Sequence, residues 1–248
     1  MRAKPWLRAG MVVAGALAMY GALLCHPDPL FAHSVQGGTV VLHSRRPLPP
    51  RALQIALAAD SRVSRSPLYD SRQRHHVYLC DSPQFFALFS NHRYRAGGVA
   101  YGGLTANTFL RPSSIERDRL FRPNGSEVPA ERTLTYFIAH EVVHGMLSAH
   151  VGRLRYLKLP TWLNEGYADY VAKAGAFDYE HELSRCRSGD RELDPAQSGL
   201  YLRYHLSVSQ WLDKRGLSVA ELLELPEDAG RIAECKGLAA QVGTSPAP

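Results

Sequence analysis

The chain has 248 residues, of which 45% are apolar, enough for one well-buried domain or two closely packed lobes. Its net charge of +6 comes mostly from arginines that are scattered along the chain rather than clustered in a basic run. Because no aromatic residues are interleaved with basic ones either, the composition argues against nucleic acid as a partner.

The first 30 residues have the composition of an export segment. Arg2, Lys4 and Arg8 precede a stretch of 17 uncharged residues from Ala9 to Cys25. A basic start followed by an apolar run is typical of a signal peptide, and this run is also near the minimum length of a transmembrane helix. Since no good cleavage site follows, we predict for residues 1–30 a signal or, preferably, an uncleaved membrane anchor. The body of the protein is then extracytoplasmic, in the periplasm or at the cell surface.

The four cysteines agree with an oxidising compartment, where a disulfide persists. We predict the pair Cys186–Cys235, because both residues lie in the C-terminal, helical half of the chain. Cys25 and Cys80 are the other two. None of the four forms a Cys-x-x-Cys pair, which argues against a thiolate metal site or a redox role.

The next part of the chain is rich in strand signals. Residues 31–51 are predicted to be a linker, because the prolines near its end oppose both a helix and a central strand. A first helix is expected over 52–63. Residues 75–80 alternate between apolar and polar as a strand does, and residues 97–112 suggest one or two more strands that stop at Pro112.

Helical patterns dominate from residue 129 onward. One helix carries apolar residues ahead of a group of histidines, and a second opens after Pro160 with Thr161 placed to cap it. A third, over about 200–215, ends at Gly216, which suits a helix C-terminus.

Strands followed by helices predict an α+β fold. The expected domain covers residues 52–241, with a small twisted sheet over about 52–125 and a helical part over about 126–241. Residues 242–248 are expected to be a tail.

The segment FIAHEVVHGMLSAH, residues 137–150, contains residue types that predict a metal site. His140 and His144 are four residues apart, so on a helix they lie on one face and can reach one zinc ion at about 2.0–2.1 Å. Glu141 lies about 100° around the helix from His140, beside the ion rather than on it. That position suits a general base for a water molecule.

A third histidine, His150, stands ten positions after His140, as in the metzincins. In the metzincin pattern a glycine lets the chain turn back, but this chain has Leu147 there, and no methionine follows Met146 to form the metzincin methionine turn. We therefore expect His150 to lie at the helix end or on the surface.

The run PTWLNEGYADY, residues 160–170, resembles the second zinc-binding helix of the gluzincins. These form the peptidase MA group, which includes thermolysin and the aminopeptidase N type. The resemblance covers roughly Thr133 to Lys173 and implies a zincin-like fold, with an edge strand above the helical half. It implies Glu165 as the third metal ligand and Asp169 as a carboxylate that accepts the outer N–H of a ligand histidine. Nothing matches the Gly-x-Met-Glu-Asn segment that grips a free N-terminus, so aminopeptidase activity is not implied.

The expected function is zinc-dependent hydrolysis of peptides or proteins, with Glu141 as the general base. Gluzincins supply a second oxyanion donor from a later helix, and among Tyr201, Tyr204 and His205 we select Tyr201, which opens that helix. Two alternatives stay open: an inactive zincin-fold binding or assembly protein of the cell envelope, and a zinc amidase that acts on cell-wall peptides.

Two further segments have lesser predictions. The strand near residues 104–109 is expected at the sheet edge, where it either pairs with an extended peptide or is covered. The pair His75-His76 is expected to be a surface feature at a strand start rather than a second metal site.

Overall fold

The computed structural model describes residues 5–92, 96–128, 132–194, 200–232 and 235, with side chains described from residue 10 onward. It contains both helices and a mixed sheet, so the predicted α+β class is confirmed. The predicted tail, 242–248, lies outside these residues.

The N-terminal half forms a five-stranded sheet in the order β1-β2-β3-β5-β4. Strands β2, β3 and β5 are parallel to one another, whereas the outer strands β1 and β4 are antiparallel to their neighbours. The strands are β1 His33–Gly37, β2 Val40–Ser44, β3 His75–Leu79, β4 Gly98–Ala100 and β5 Thr108–Leu110. A two-stranded ribbon follows, with β6 Ser113–Ser114 and β7 Arg119–Leu120.

The predicted linker over 31–51 is wrong. Strands β1 and β2 form an antiparallel pair within it, and Val40 and Leu42 are fully buried in the core. The prolines that suggested a linker all come after β2, so they restrict only the short connection to the next helix. The sheet therefore starts about 20 residues before the predicted domain boundary.

The predicted position of the edge strand is also wrong. Residues 108–110 form β5, which is paired on both sides, by β3 and by β4. The edge at this end of the sheet is β4, which comes earlier in the chain and folds back antiparallel onto β5. Strand order depends on pairing between distant segments, so the local pattern could not reveal it.

Most of the segments that were predicted to be helical are helical in the structure. The predicted helix over 52–63 is confirmed, and that over 200–215 becomes a helix of eight residues continued by a π-helical turn, Gln210–Lys214. Gly216 follows with a positive φ of 71°. The helices are α1 Pro5–Cys25, α2 Arg51–Val63, α3 Pro83–Ser90, α4 Leu134–Val151, α5 Arg153–Tyr156, α6 Thr161–Lys173, α7 Tyr179–Arg187, α8 Leu202–Ser209 and α9 Val219–Leu222.

The starts of the two central helices differ. Thr133 caps α4, since its side chain accepts a hydrogen bond from the Tyr136 backbone N–H. Helix α6 begins at Thr161 directly after Pro160, and no side chain caps it. The predicted capping role of Thr161 is wrong because Thr161 already has helical geometry as the first residue of α6.

Helices α2, α4 and α6 share the main hydrophobic core with one face of the sheet. Helix α4 is buried over most of its length, from Leu134 to Ser148. Side chains of a strand alternate between the two faces, so Val77 and Leu79 join this core whereas Tyr78 faces the opposite side. There Tyr78 packs with aromatic residues of α3 and β5. This layering buries α4 while one of its faces opens to a cleft.

The predicted transmembrane helix is wrong. Within the described part of the chain, no helix combines the length and the apolarity that a bilayer crossing requires. The last turn of α1 contacts the folded body: Leu24 is buried, and the Asn107 side-chain amide donates to the carbonyls of Leu24 and Cys25 at 2.9 and 3.1 Å.

The predicted disulfide is confirmed. Cys186 in α7 is bonded to Cys235, and their Cα atoms lie 5.2 Å apart. The bond links positions 49 residues apart in the chain, which restricts the unfolded state. Cys25 and Cys80 are free thiols.

Candidate metal centre

The three predicted ligands meet where α4 packs against α6. His140 and His144 lie on one face of α4, with ring centroids 4.9 Å apart. Helix α6 contributes Glu165, whose Oε2 lies 3.3 Å from His140 Nε2 and 3.8 Å from His144 Nε2. One donor atom from each residue lies within 4.8 Å of the other two. The structure therefore brings together the side chains that the sequence nominated.

This donor set fits a zinc ion. Two ligands at zinc distance in a tetrahedral site lie roughly 3.3 Å apart, close to the separation of His140 Nε2 and Glu165 Oε2. Imidazole nitrogens with one carboxylate suit zinc, and three protein ligands leave a position open. All three groups are largely shielded from solvent, with Glu165 the most accessible.

Asn164 orients one of the imidazoles, a role that the sequence analysis missed. Its Oδ1 lies 2.9 Å from His144 Nδ1, so the ring donates from Nδ1 and keeps the Nε2 lone pair turned towards Glu165. The Asn164 amide in turn donates to the Tyr156 hydroxyl at 3.4 Å. The sequence did contain a signal for this role, because Asn164 stands directly before Glu165 in the Trp-Leu-Asn-Glu-Gly run.

Asp169 does not form the predicted hydrogen bond to a ligand histidine. Its carboxylate instead accepts from the Tyr136 hydroxyl, from His205 Nδ1 at 2.9 Å and from Lys173 Nζ at 2.7 Å. Tyr136 lies one turn before His140, so its hydroxyl takes the place expected for the imidazole. The outer nitrogen of His140, Nδ1, is buried without a partner among the described residues. Asp169 thus ties α4, α6 and α8 together behind the site.

Two carboxylates of the site have pKa values displaced in opposite directions. Burial raises the pKa of Glu141 to about 7, and the negative charge of Glu165 adds to this effect. Burial acts on Glu165 in the same sense, but His144 and His140 outweigh it and lower the pKa of Glu165 to about 2. Such a separation of pKa values is typical of two carboxylates that have different tasks in one site.

Strand β4 passes directly beside the general-base candidate. A Cβ atom at Gly98 would lie only 2.7 Å from Glu141 Oε1, so the absence of a side chain at Gly98 leaves room for the carboxylate. Gly97 similarly leaves room for the ring of Phe137. The two glycines bring the backbone of the edge strand into the site.

The site opens into a cleft of about 250 Å³. Its other lining comes from the β4 backbone and from Arg132, Phe137, Tyr156 and Tyr201. A larger cavity of about 790 Å³ lies elsewhere, beside Tyr167, Tyr170 and Phe177, and includes none of the three candidate ligands. We assign the functional site to the smaller cleft because the donor atoms lie there.

Tyr201 is the member of the predicted trio that reaches the cleft. Its ring stacks on His140 with centroids 5.6 Å apart, and its side chain lines the cleft together with Glu165. Burial and the nearby charge of Glu165 raise the pKa of Tyr201, so its hydroxyl stays protonated. Tyr204 stacks on the outer side of Tyr201, and His205 is bonded to Asp169.

His150 lies outside the site, as expected. Helix α4 continues without interruption to Val151, and His150 is exposed near its end. His150 is therefore not positioned to act as a third ligand in the way that metzincins use their third histidine.

Comparison with known proteins assigns no family. Neither a scan against protein-family models nor a search of curated proteins found a match to the chain. The functional interpretation therefore depends on the side chains and on their geometry.

Removal of the Asn164 side chain tests its orienting role. For Asn164→Ala we expect zinc affinity to fall about 10–100-fold, because His144 loses the partner that fixes its ring. Competition with a chromophoric chelator measures this affinity. Asn124→Ala, in an exposed turn, is the control. Equal affinities for both variants would contradict the assignment.

Proposed function

We propose that the chain is a zinc-dependent peptidase of the gluzincin type, with a zincin-like fold. The observation that carries this proposal is the convergence of His140, His144 and Glu165, with the buried Glu141 beside them. A zinc ion held only for structure needs no adjacent base, so the retention of Glu141 favours catalysis.

The residues of the cleft suit hydrolysis of an amide. A bound zinc ion would supply a Lewis acid that polarises the scissile carbonyl and acidifies water. Glu141, with its raised pKa, accepts the proton of the attacking water and returns it to the leaving amine. The protonated Tyr201 hydroxyl is placed to donate a hydrogen bond to the oxyanion that develops on the carbonyl.

Strand β4 provides a place for an extended substrate. It is the last strand of the sheet among the described residues, and its backbone from Gly98 to Ala100 lines the cleft beside Glu141. A peptide paired with this edge would lie along the cleft, held by main-chain hydrogen bonds. This supports peptides or proteins, including cell-wall peptides, as substrates.

The Cys186–Cys235 disulfide supports an extracytoplasmic location, since such bonds persist in oxidising compartments. The basic and apolar composition of the first 25 residues agrees with export.

Metal analysis and a peptide digest test the proposal. We expect the purified chain to contain zinc and to cleave a degenerate peptide mixture or cell-wall peptides, with cleavage lost on addition of 1,10-phenanthroline and restored by zinc. Mass spectrometry of the products provides the readout. A zinc-loaded chain that cleaves nothing would favour the non-catalytic binding protein, and cleavage insensitive to the chelator would refute the metal-dependent mechanism.

Substitution of Tyr201 separates its role from packing. We expect Tyr201→Phe to lower kcat by about 10²-fold, because the ring still stacks on His140 while the oxyanion loses a donor. Tyr204→Phe is the matched control, since its ring stacks on the outer side of Tyr201. Steady-state kinetics should show little change in KM for either variant, and a kcat for Tyr201→Phe equal to that of the control would exclude the role.

A further inference from the structure

A second cluster of metal-binding side chains lies on the other face of the sheet. His43 in β2 and His76 in β3 point to the same face, because the parallel register aligns His43 with Tyr78 and Val41 with His76. His75, the neighbour of His76, points towards α4 and is buried. The pair His43 and His76 is therefore separated from the Glu165 site by the sheet.

The third member of this cluster comes from the turn after α1. Asp28 opens the 3₁₀ turn Asp28–Leu30, and its Oδ1 lies 3.9 Å from His43 Nδ1. His43 Nε2 lies 2.9 Å from His76 Nδ1. One donor atom from each of the three residues lies within 4.8 Å of the others.

Supporting contacts hold two of these donors in place. The Tyr78 hydroxyl donates to Asp28 Oδ1 at 3.0 Å, which leaves the rest of the carboxylate available. The ring of Tyr78 also stacks on the ring of His43, with centroids 4.5 Å apart. Ligands in metal sites typically have such a hydrogen-bonded partner, as Asp28 has in Tyr78.

We propose that Asp28, His43 and His76 form a second site for one divalent transition-metal ion, of which zinc is the representative. Two imidazoles and a carboxylate are the donor types that such ions select over calcium or magnesium. The two imidazole nitrogens lie 2.9 Å apart, and small ring rotations bring them to the roughly 3.3 Å that two ligands of one zinc ion need.

The ion would fasten the end of α1 to the sheet. Asp28 follows α1 by three residues, whereas His43 and His76 belong to strands β2 and β3. The Asp28 side chain is 60% exposed, so an ion can enter from solvent without opening the core. The role is structural and does not depend on the proposed peptidase activity.

Metal counting in the full chain tests this site without an activity readout. We expect the wild type to bind about two zinc equivalents, and the double variant His140→Ala/His144→Ala to bind about one. In that double-variant background, adding Asp28→Asn or His76→Ala should abolish binding, and His150→Ala should leave it unchanged. Asp28→Asn keeps an acceptor for Tyr78 at an exposed position, so the fold is expected to survive, which circular dichroism verifies.

Thermal unfolding gives a second readout. Zinc should raise the Tm of the double variant, because it binds only the folded chain, and Asp28→Asn should remove this rise. If the double variant binds no zinc at micromolar concentrations, or if Asp28→Asn leaves binding and Tm unchanged, the proposal is overturned and the histidines form only a hydrogen-bonded pair. A wild type with one equivalent that Asp28→Asn abolishes would support this site while removing the metal from the proposed peptidase.

Discussion

Glu141→Gln is expected to reduce peptide hydrolysis by about 10²–10⁴-fold while zinc stays bound. The amide fills the same space beside Gly98 but cannot accept a proton from water. The substitution leaves the proposed metal ligands intact, because Glu141 does not belong to the group formed by His140, His144 and Glu165. Initial rates on a cleaved peptide, with zinc content measured on the same sample, provide the test.

The matched control is Glu180→Gln. Glu180 is exposed on α7 and pairs only with Lys214 at 2.8 Å among the described contacts. This variant should retain wild-type rates. Comparable rates for Glu141→Gln and the control would remove Glu141 from the mechanism, and loss of zinc from Glu141→Gln would show a structural role instead.

Asp169→Asn is expected to destabilise the fold by about 3–5 kcal/mol at pH 7, because it breaks a buried ion pair from one side. Asp169 is 1% exposed and accepts from Tyr136, His205 and Lys173, residues of three helices. An amide there leaves the Lys173 ammonium without its counter-charge. Urea unfolding of the wild type and the variant gives the free-energy difference.

The pH dependence of this difference has a definite sign. Burial alone would raise the pKa of Asp169, but the His205 hydrogen bond and the Lys173 charge together hold it well below the ordinary value of 3.8. A carboxyl group with a lowered folded-state pKa stabilises the fold above its unfolded pKa and loses that contribution as pH falls towards the folded value. The difference between wild type and variant should therefore be constant from pH 7 to about 5 and shrink below about 4.

Asp228→Asn serves as the control for Asp169→Asn. Asp228 is exposed in the 3₁₀ turn Glu227–Gly230, so its loss of charge should change the free energy of unfolding by less than about 0.5 kcal/mol. A free-energy difference for Asp169→Asn that is equally small, or that is independent of pH below 4, would show that the buried network contributes little.

Several features of the site could be predicted because they depend on local spacing. His140 and His144 share a face as a consequence of the helix repeat, and His150 falls outside it for the same reason. The Trp-Leu-Asn-Glu-Gly run predicted that Glu165 lies with these histidines, and the start of the later helix predicted Tyr201, which does line the cleft. The α+β class followed from strand-like alternation before residue 112 and helical periodicity after it.

Other features depended on contacts between distant segments. The strands at 33–44 and the inner position of β5 were missed because pairing is decided between segments far apart in sequence. Asn164, rather than Asp169, contacts a histidine of the site, because Tyr136 occupies the Asp169 carboxylate. Only the packing of α4 on α6 determines this.

The sequence alone nominated the side chains of two helices that the fold brings together, and the glutamate that lies beside them. Only the tertiary structure decided which groups hold those side chains, which strand borders the cleft, and that Asp28 lies beside two histidines on the opposite face of the sheet. Helical spacing is set by the backbone repeat within a few residues, whereas hydrogen-bond partners are chosen by the packing of elements that meet only in the folded chain.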